Sequence, residues 1–218
     1  MRRSIGIVDV PSTVLTGTVW AYWFCVGVMS VRVRRKTRKL SGIVPKQRIE
    51  QLLWLVWVPL VLSWMALPYL ALSQSHPPLS LPVFARQPEY AALRWLAAAL
   101  GLLALALTIE CWARMGKNWR MAVTPDQKTE LVTTGLYDRI RHPIYALSIL
   151  LMFCSVVVVP TVPMATLALI HLGLMLVKAR NEERFLLGVH GDVYARYCDR
   201  TGRFFPRLHA GRSRARVR

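Results

Sequence analysis

Apolar residues dominate five stretches of this chain: Ser12 to Val31, Leu52 to Ser73, Ala91 to Ala113, Pro143 to Val159 and Thr161 to Ala179. Each is near the ~20 residues a helix needs to cross hydrocarbon. The last two flank Val159-Pro160-Thr161-Val162-Pro163, a break that sends the chain up and straight back down as a helical hairpin. Charge inside the runs is sparse, with Arg94 and Glu110 the main exceptions, both near run ends. At 218 residues with 54% hydrophobic and 18% charged content, such runs are too long for an ordinary soluble domain. The pattern predicts an all-α integral membrane protein with about five transmembrane helices. It divides into N-terminal spans (1–113), a core of loop, hairpin and lid (114–206) and a basic tail (207–218).

Charge then orients the spans. The net charge of +18 is concentrated in Arg32 to Arg48, Arg114 to Arg141 and the residues after Lys178, whereas Gln74 to Tyr90 holds only Arg86. This alternation follows the positive-inside rule and predicts an N-terminus outside and a C-terminus in the cytoplasm. The cluster Arg32, Arg34, Arg35, Lys36, Arg38 and Lys39 outweighs Arg2 and Arg3, and as a basic block after the first span it argues against a signal peptide. A bacterial-style inner membrane location is expected. The basic tail Arg212 to Arg218 is expected at anionic headgroups rather than on nucleic acid. Cys25, Cys111, Cys154 and Cys198 show no metal or pairing spacing and read as small apolar residues; no metal is expected. Trp20, Trp23, Trp54, Trp57 and Trp64 are expected at membrane interfaces rather than in a binding box.

Two polar segments carry the candidate chemistry. Arg141-His142-Pro143-Ile144-Tyr145 opens the fourth helix, with Pro143 suited to the first turn and His142 at the cap. Its positive end would attract an anion, with Arg139 and Arg141 strengthening the effect. At the exit of the fifth helix, Lys178 and Glu182 share a face and Glu183 points about a third of a turn away. Helix rise puts Tyr145 and Lys178 at similar depth in the hairpin, with Glu182 just beyond. Taken alone, the first segment is equally a capped helix with interfacial arginines, and the second a solvated end with an ion pair. The loop Gly116 to Tyr137 is predicted to form one wall of a pocket at the cytoplasmic mouth, and the tyrosine-rich stretch with Tyr194 and Tyr197 a lid over it.

The ordered set Leu131 to Tyr137, Arg141-His142-Pro143-Ile144-Tyr145, Glu182-Glu183, Gly191-Asp192-Val193-Tyr194, Tyr197 and Phe205-Pro206 resembles the isoprenylcysteine carboxyl methyltransferase family, a group itself similar to the phospholipid N-methyltransferases. The resemblance runs from Gly116 to Pro206. It implies an S-adenosylmethionine pocket lined by Glu130, Leu131, Val132, Tyr137, His142, Pro143, Ile144, Tyr145 and Glu182. It also implies acceptor binding by Lys178, where eukaryotic members carry arginine, with Arg180 a nearby substitute. Leu147 stands where many relatives have glycine. Lysine at 178 offers a point charge in place of a fork.

The residues suit that cofactor. A carboxylate, an anion-binding helix start and aromatic walls answer a sulfonium amino acid with an adenosine edge, and Glu182, His142 with Pro143, and Tyr137 with Tyr145 supply them. Where the acceptor must lose a proton, His142, His190 and Tyr194 are the candidate bases. The expected partners are membrane lipids and a lipophilic, possibly anionic or lipid-modified acceptor; oligomeric state is left open. Rival readings are a phospholipid N-methyltransferase, a small-thiol S-methyltransferase, an NADPH-dependent membrane reductase and a non-catalytic membrane scaffold.

Overall fold

The computed structural model describes residues 9–37, 47–116, 119 and 130–207. Six helices follow in order: α1 (Val10–Thr37), α2 (Arg48–Ser73), α3 (Pro88–Met115), α4 (Pro143–Val158), α5 (Val162–His190) and α6 (Asp192–Arg200). Short 3-10 turns lie at Val83–Arg86 and Gly135–Asp138. Among the described residues there is no strand, only an isolated parallel bridge between Ile140 and Gly202.

Among the described residues four helices are long and apolar enough to cross a bilayer: Val10–Arg35 within α1, then α2, α3 and α5. The chain is therefore an all-helical integral membrane protein. The fourth predicted run forms a helix of 16 residues, α4. At 1.5 Å per residue α4 is about 24 Å long, less than the ~30 Å hydrocarbon thickness. The hairpin turns where expected: α4 ends at Val158, and Thr161 caps α5 by accepting a hydrogen bond from the Met164 amide, with Pro163 in the first turn.

Composition explains which helices meet. On α3 the buried residues Ala97, Gly101, Ala104 and Thr108 make a small-residue stripe, which lets α4 approach closely. A Cβ at Gly101 would sit 3.3 Å from the Leu151 side chain. α4 answers with Leu151, Cys154, Ser155 and Val158, all buried. Large apolar side chains such as Phe24, Leu55, Phe153 and Leu169 point outward, as lipid requires. Thr18, Thr108 and Ser155 return their hydroxyls to carbonyls one turn back, so these polar groups are satisfied within their own helices.

Arg94 is buried, and it fastens the bundle at the end opposite the RHPxY segment. Its guanidinium donates to Asp9 Oδ2 at 2.5 Å, Ser12 Oγ at 2.8 Å, the Ala85 carbonyl at 3.2 Å and the Val158 carbonyl at 3.0 Å. One side chain thus joins the start of α1, the 3-10 turn, α3 and the last turn of α4.

Removing it would leave Asp9 and two carbonyls without their donor. Arg94→Leu is expected to cost about 2–4 kcal/mol. A thermal unfolding midpoint in detergent equal to that of the wild type would show that the clamp contributes nothing.

Candidate functional site

The two polar segments meet. Pro143 occupies the first turn of α4 and His142 its N-cap, so the cap imidazole is set at the helix mouth. Backbone pairing fixes that position. The Arg141 and His142 amides donate to the carbonyls of Gly202 and Arg203 at 2.8 and 3.1 Å, and the Gly202 amide donates to the Arg139 carbonyl at 3.0 Å. Gly202 is required there, because a Cβ would collide with the Phe205 carbonyl oxygen.

Across from this strap, the exit of α5 presents two carboxylates with different work. Glu183 is held by Arg141 Nε at 2.9 Å and by Arg203, whose Nη2 lies 2.5 Å from Oε2. Arg141 also donates to the carbonyls of Cys198 and Thr201 at 3.0 and 2.5 Å. It is thus committed to internal partners, contrary to the expectation that it strengthens an anion site at the helix mouth. The expectation failed because the strap folds back onto α5 and its carbonyls claim the guanidinium.

Glu182 faces the other way. Tyr145 donates its hydroxyl to Oε1 at 2.5 Å, and His142 Nδ1 stands 3.4 Å from Oε2. The His142 ring lies parallel to the Tyr145 ring, centroids 5.4 Å apart. Its Nε2 is 3.4 Å from Glu183 Oε1, near enough for ionic attraction but without a hydrogen bond. Burial alone would favour the neutral imidazole. The close contacts and charges of Glu182 and Glu183 outweigh it and hold the pKa of His142 above the ordinary histidine value. The two carboxylates thus favour the imidazolium form of His142.

Beside this cluster opens a cavity of about 510 Å³, its mouth included. Tyr22, Trp23, Trp57, Trp112, Trp119 and Tyr145 give it aromatic walls, and Ser148 and Lys178 its polar lining. Lys178 Nζ lies 5.9 Å from the Tyr145 ring centroid and 6.0 Å from that of Trp57. The expected common depth of Tyr145 and Lys178 is met.

The other sequence candidates divide. Tyr137 is buried, and its carbonyl accepts from the Tyr197 hydroxyl at 2.5 Å. Its own hydroxyl is buried without a hydrogen-bond partner. Burial first, then the charges of Cys111, Glu182 and Tyr197, push the Tyr137 phenol upward, so it stays a neutral donor. Pro143 is buried, Ile144 lines the cavity, Leu131 and Val132 are half-buried, and Glu130 is exposed. Arg180 is exposed and absent from the cavity lining. Tyr194 is buried under α6 with its ring 5.9 Å from that of Tyr197, and it too is absent from the lining. Residues 117–118 and 120–129, most of the predicted pocket wall, lie outside the described residues, as does the basic tail.

Sequence reasoning missed three features. Trp23 and Trp57 line the cavity although interfacial places were expected for them, and Trp64 is fully buried. Their helices turn these rings inward, where Trp23 packs edge-on to both Trp57 and Trp64. Asn181 donates to Gln47 and Glu50, both at 3.0 Å, tying the start of α2 to the exit of α5. His171, a titratable residue amid the fifth apolar run, was passed over because only formally charged residues were sought there.

Fold and site define a polytopic helical membrane protein whose polar centre forms where the two arms of a hairpin leave the apolar bundle. Residues 95–188 match the model of the isoprenylcysteine carboxyl methyltransferase (ICMT) family, which this stretch resembles. The match runs from α3 to near the end of α5 and takes in both motif segments. The chain is also similar to the nickel-cobalt-cadmium resistance protein NccN of Alcaligenes xylosoxydans xylosoxydans, 30% identical over 123 residues, 55% of each chain. To the cobalt-zinc-cadmium resistance protein CzcN of Cupriavidus metallidurans it is 32% identical over 111 residues, 50% of this chain and 49% of that one. It spans about half the length of these curated relatives.

Two outcomes test the electrostatics. Glu183→Gln removes the charge that Arg141 and Arg203 share, a loss of about 2 kcal/mol locally, so trypsin should cut at Arg200 and Arg203 roughly tenfold to a hundredfold faster. Equal cleavage rates would mean the clasp does not hold the strap. The stabilisation gained from protonated His142 is fully present below the ordinary histidine value of about 6.5, down to the carboxylate range, and is lost as pH rises through the raised value. Thermal midpoints in detergent should fall over that window in the wild type but not in His142→Gln; parallel profiles would contradict the assignment.

Proposed function

We propose that this chain transfers a methyl group from S-adenosylmethionine to a lipophilic acceptor at the cytoplasmic face of a bacterial-style inner membrane. The observation that carries this reading is the convergence of His142, Tyr145 and Glu182 beside an aromatic cavity, within the stretch that matches the family. The basic segments favour an N-terminus outside and a cytoplasmic C-terminus. With α4 as a short fifth crossing, the site then sits on the cytoplasmic side, the lid and strap (to 206) belong to the core, and residues 1–113 wall it.

The donor set fits the cofactor. Glu182 suits an ammonium, and His142, whose protonation its neighbours favour, suits a carboxylate together with the α4 start. The unpartnered hydroxyl of Tyr137, electrostatically coupled to Glu182, is a buried donor awaiting a ligand atom. Aromatic faces at Tyr145, Trp57 and Trp119 suit a sulfonium and an adenine edge. When bound, the cofactor supplies a methyl already activated on a cationic sulfur. The protein's own tasks are then to hold the acceptor in line at about 3–3.5 Å and to keep water out. Lys178, on the cavity wall, is placed to attract an anionic acceptor, which arrives sideways through the bilayer.

The names of the two relatives support a second reading of purpose, that methyl transfer by this chain serves metal tolerance; growth of a deletion strain in nickel, cobalt, zinc or cadmium would test it. Phospholipid N-methylation is the runner-up chemistry.

Calorimetry on the detergent-purified protein tests the class. Saturable S-adenosylmethionine binding is expected, weakened about tenfold to a hundredfold in Glu182→Ala, as for a charged hydrogen bond worth about 1.5–3 kcal/mol. Lys178→Met should spare that binding while changing acceptor use. Binding of NADPH alone would make the protein a reductase, and binding of neither would make it a scaffold.

A further inference from the structure

His171 lies in the middle of α5, inside a membrane span, and is 1% exposed. Ionisable side chains at such depth are costly and mark functional paths more often than packing. Its Nε2 is 3.1 Å from Ser148 Oγ on α4, while Nδ1 is buried without a hydrogen-bond partner. A histidine kept only to join two helices would have both nitrogens satisfied. Ser148 in turn lines the cavity and lies within side-chain hydrogen-bonding reach of the Tyr22 hydroxyl on α1, another cavity residue.

Burial disfavours a lasting charge on His171, and one aromatic neighbour offsets part of that cost. The Trp64 ring from α2 stands 5.4 Å from the imidazole, a distance at which an aromatic face stabilises a cation. Trp64 is itself fixed, donating Nε1–H to Ser155 Oγ at 2.9 Å. Facing His171 are thus Trp64 from α2, Ser148 from α4 and, through Ser148, Tyr22 from α1. Among the described residues no charged side chain acts on it electrostatically.

We propose that Ser148 and His171 form a proton relay from the cavity, and that the methyl acceptor is a lipophilic thiol. This rests on the methyltransferase reading above. A carboxylate acceptor is already deprotonated and has no use for a relay, and an amine would enter as an ammonium repelled by Lys178 on the same wall. A thiol needs to lose a proton, and the lysine then attracts the thiolate. In the step, the acceptor S–H bond breaks, its proton passes to Ser148 Oγ, and the serine proton passes to His171 Nε2. The freed electron pair forms the new S–C bond as the sulfonium C–S bond breaks, so the positive charge once on the sulfonium ends on the imidazole. The proton returns through Ser148 to the cavity mouth after product leaves. His171 acts through Ser148, which makes it a positioning and proton-holding residue.

Three probes of equal chain length separate the possibilities: dodecanethiol, dodecylamine and dodecanoic acid, each with methyl-labelled S-adenosylmethionine. Labelling of dodecanethiol above the other two is expected. In His171→Gln turnover should fall about 10²-fold at neutral pH, the low end for general-base catalysis, with the deficit shrinking as pH approaches the thiol's own pKa. Histidine ¹⁵N NMR of the cofactor-free protein gives a second readout: dodecanethiol should move the His171 ring signals, dodecane should not, and Ser148→Ala should abolish the movement. Labelling of the acid or amine alone, labelling of none, a deficit independent of pH or unmoved ring signals would overturn the relay. S-adenosylmethionine binding in His171→Gln keeps the two proposals distinct, because its presence with any of those results sinks the relay alone, and its absence in the wild type sinks the methyltransferase reading.

Discussion

The carboxylate of Glu183 is the point on which the polar end of this protein depends. An anion with a side chain 14% exposed at the end of an apolar bundle is costly unless cations surround it. Arg141 comes from the residue before the α4 cap and Arg203 from the strap after α6, so satisfying one charge draws together pieces separated by more than 60 residues of sequence. Arg141 then spends its remaining donors on the carbonyls that end α6. The strap, the cap and the helix exit hold their positions jointly, and His142 is fixed between them.

That division of labour explains why two adjacent glutamates are present. Successive residues on a helix differ by about a third of a turn, so a pair cannot share one partner set. Glu183 looks toward the strap and is saturated by arginines. Glu182 looks toward Tyr145 and His142, with Lys178 one turn below it. At the far end Arg94 plays the part of Glu183 with the sign reversed, binding the last turn of α4 to α1 and α3. α4 is thus fixed at both ends, and the small-residue stripe of α3 sets the distance between its middle and its neighbour.

Much of this was legible in the chain. Apolar runs, the Pro160 and Pro163 break and the cap chemistry at His142-Pro143 are local properties, and each falls in the structure where those properties put it. The common depth of Tyr145 and Lys178 followed from helix rise alone once the hairpin was granted, whereas Glu182, expected just beyond them, turns back to accept from the Tyr145 hydroxyl. What was illegible depends on which way helices rotate. Trp23 and Trp57 have the composition of interfacial residues, and nothing in their spacing says that α1 and α2 turn them onto the cavity. Arg141 looked free because its partners are backbone carbonyls some 60 residues away, which no local pattern announces. The fourth run, expected from Pro143 to Val159, ends as a helix at Val158, and at 16 residues it is shorter than the other four.

Polarity changes with depth along the α4–α5 seam. At the mouth stand the ionisable groups His142, Glu182 and Glu183, in contact with one another. Lower on the same seam come Ser148 and His171, neutral polar groups that do not carry a standing charge and so tolerate the apolar interior. A group of this second kind can take a proton briefly, where a permanent ion would be too costly to hold. Lys178 and Ser148 line one cavity whose other walls are aromatic and aliphatic, so a polar tip and an apolar body could be held there together. Lys178 spans the two zones: its ammonium rests near the faces of Trp57 and Tyr145 in the cavity wall, and its charge also acts on Glu182. A change at Lys178 therefore acts on the cavity's charge first and on the carboxylate cluster only through Glu182, which is why acceptor and cofactor responses to that residue are expected to separate.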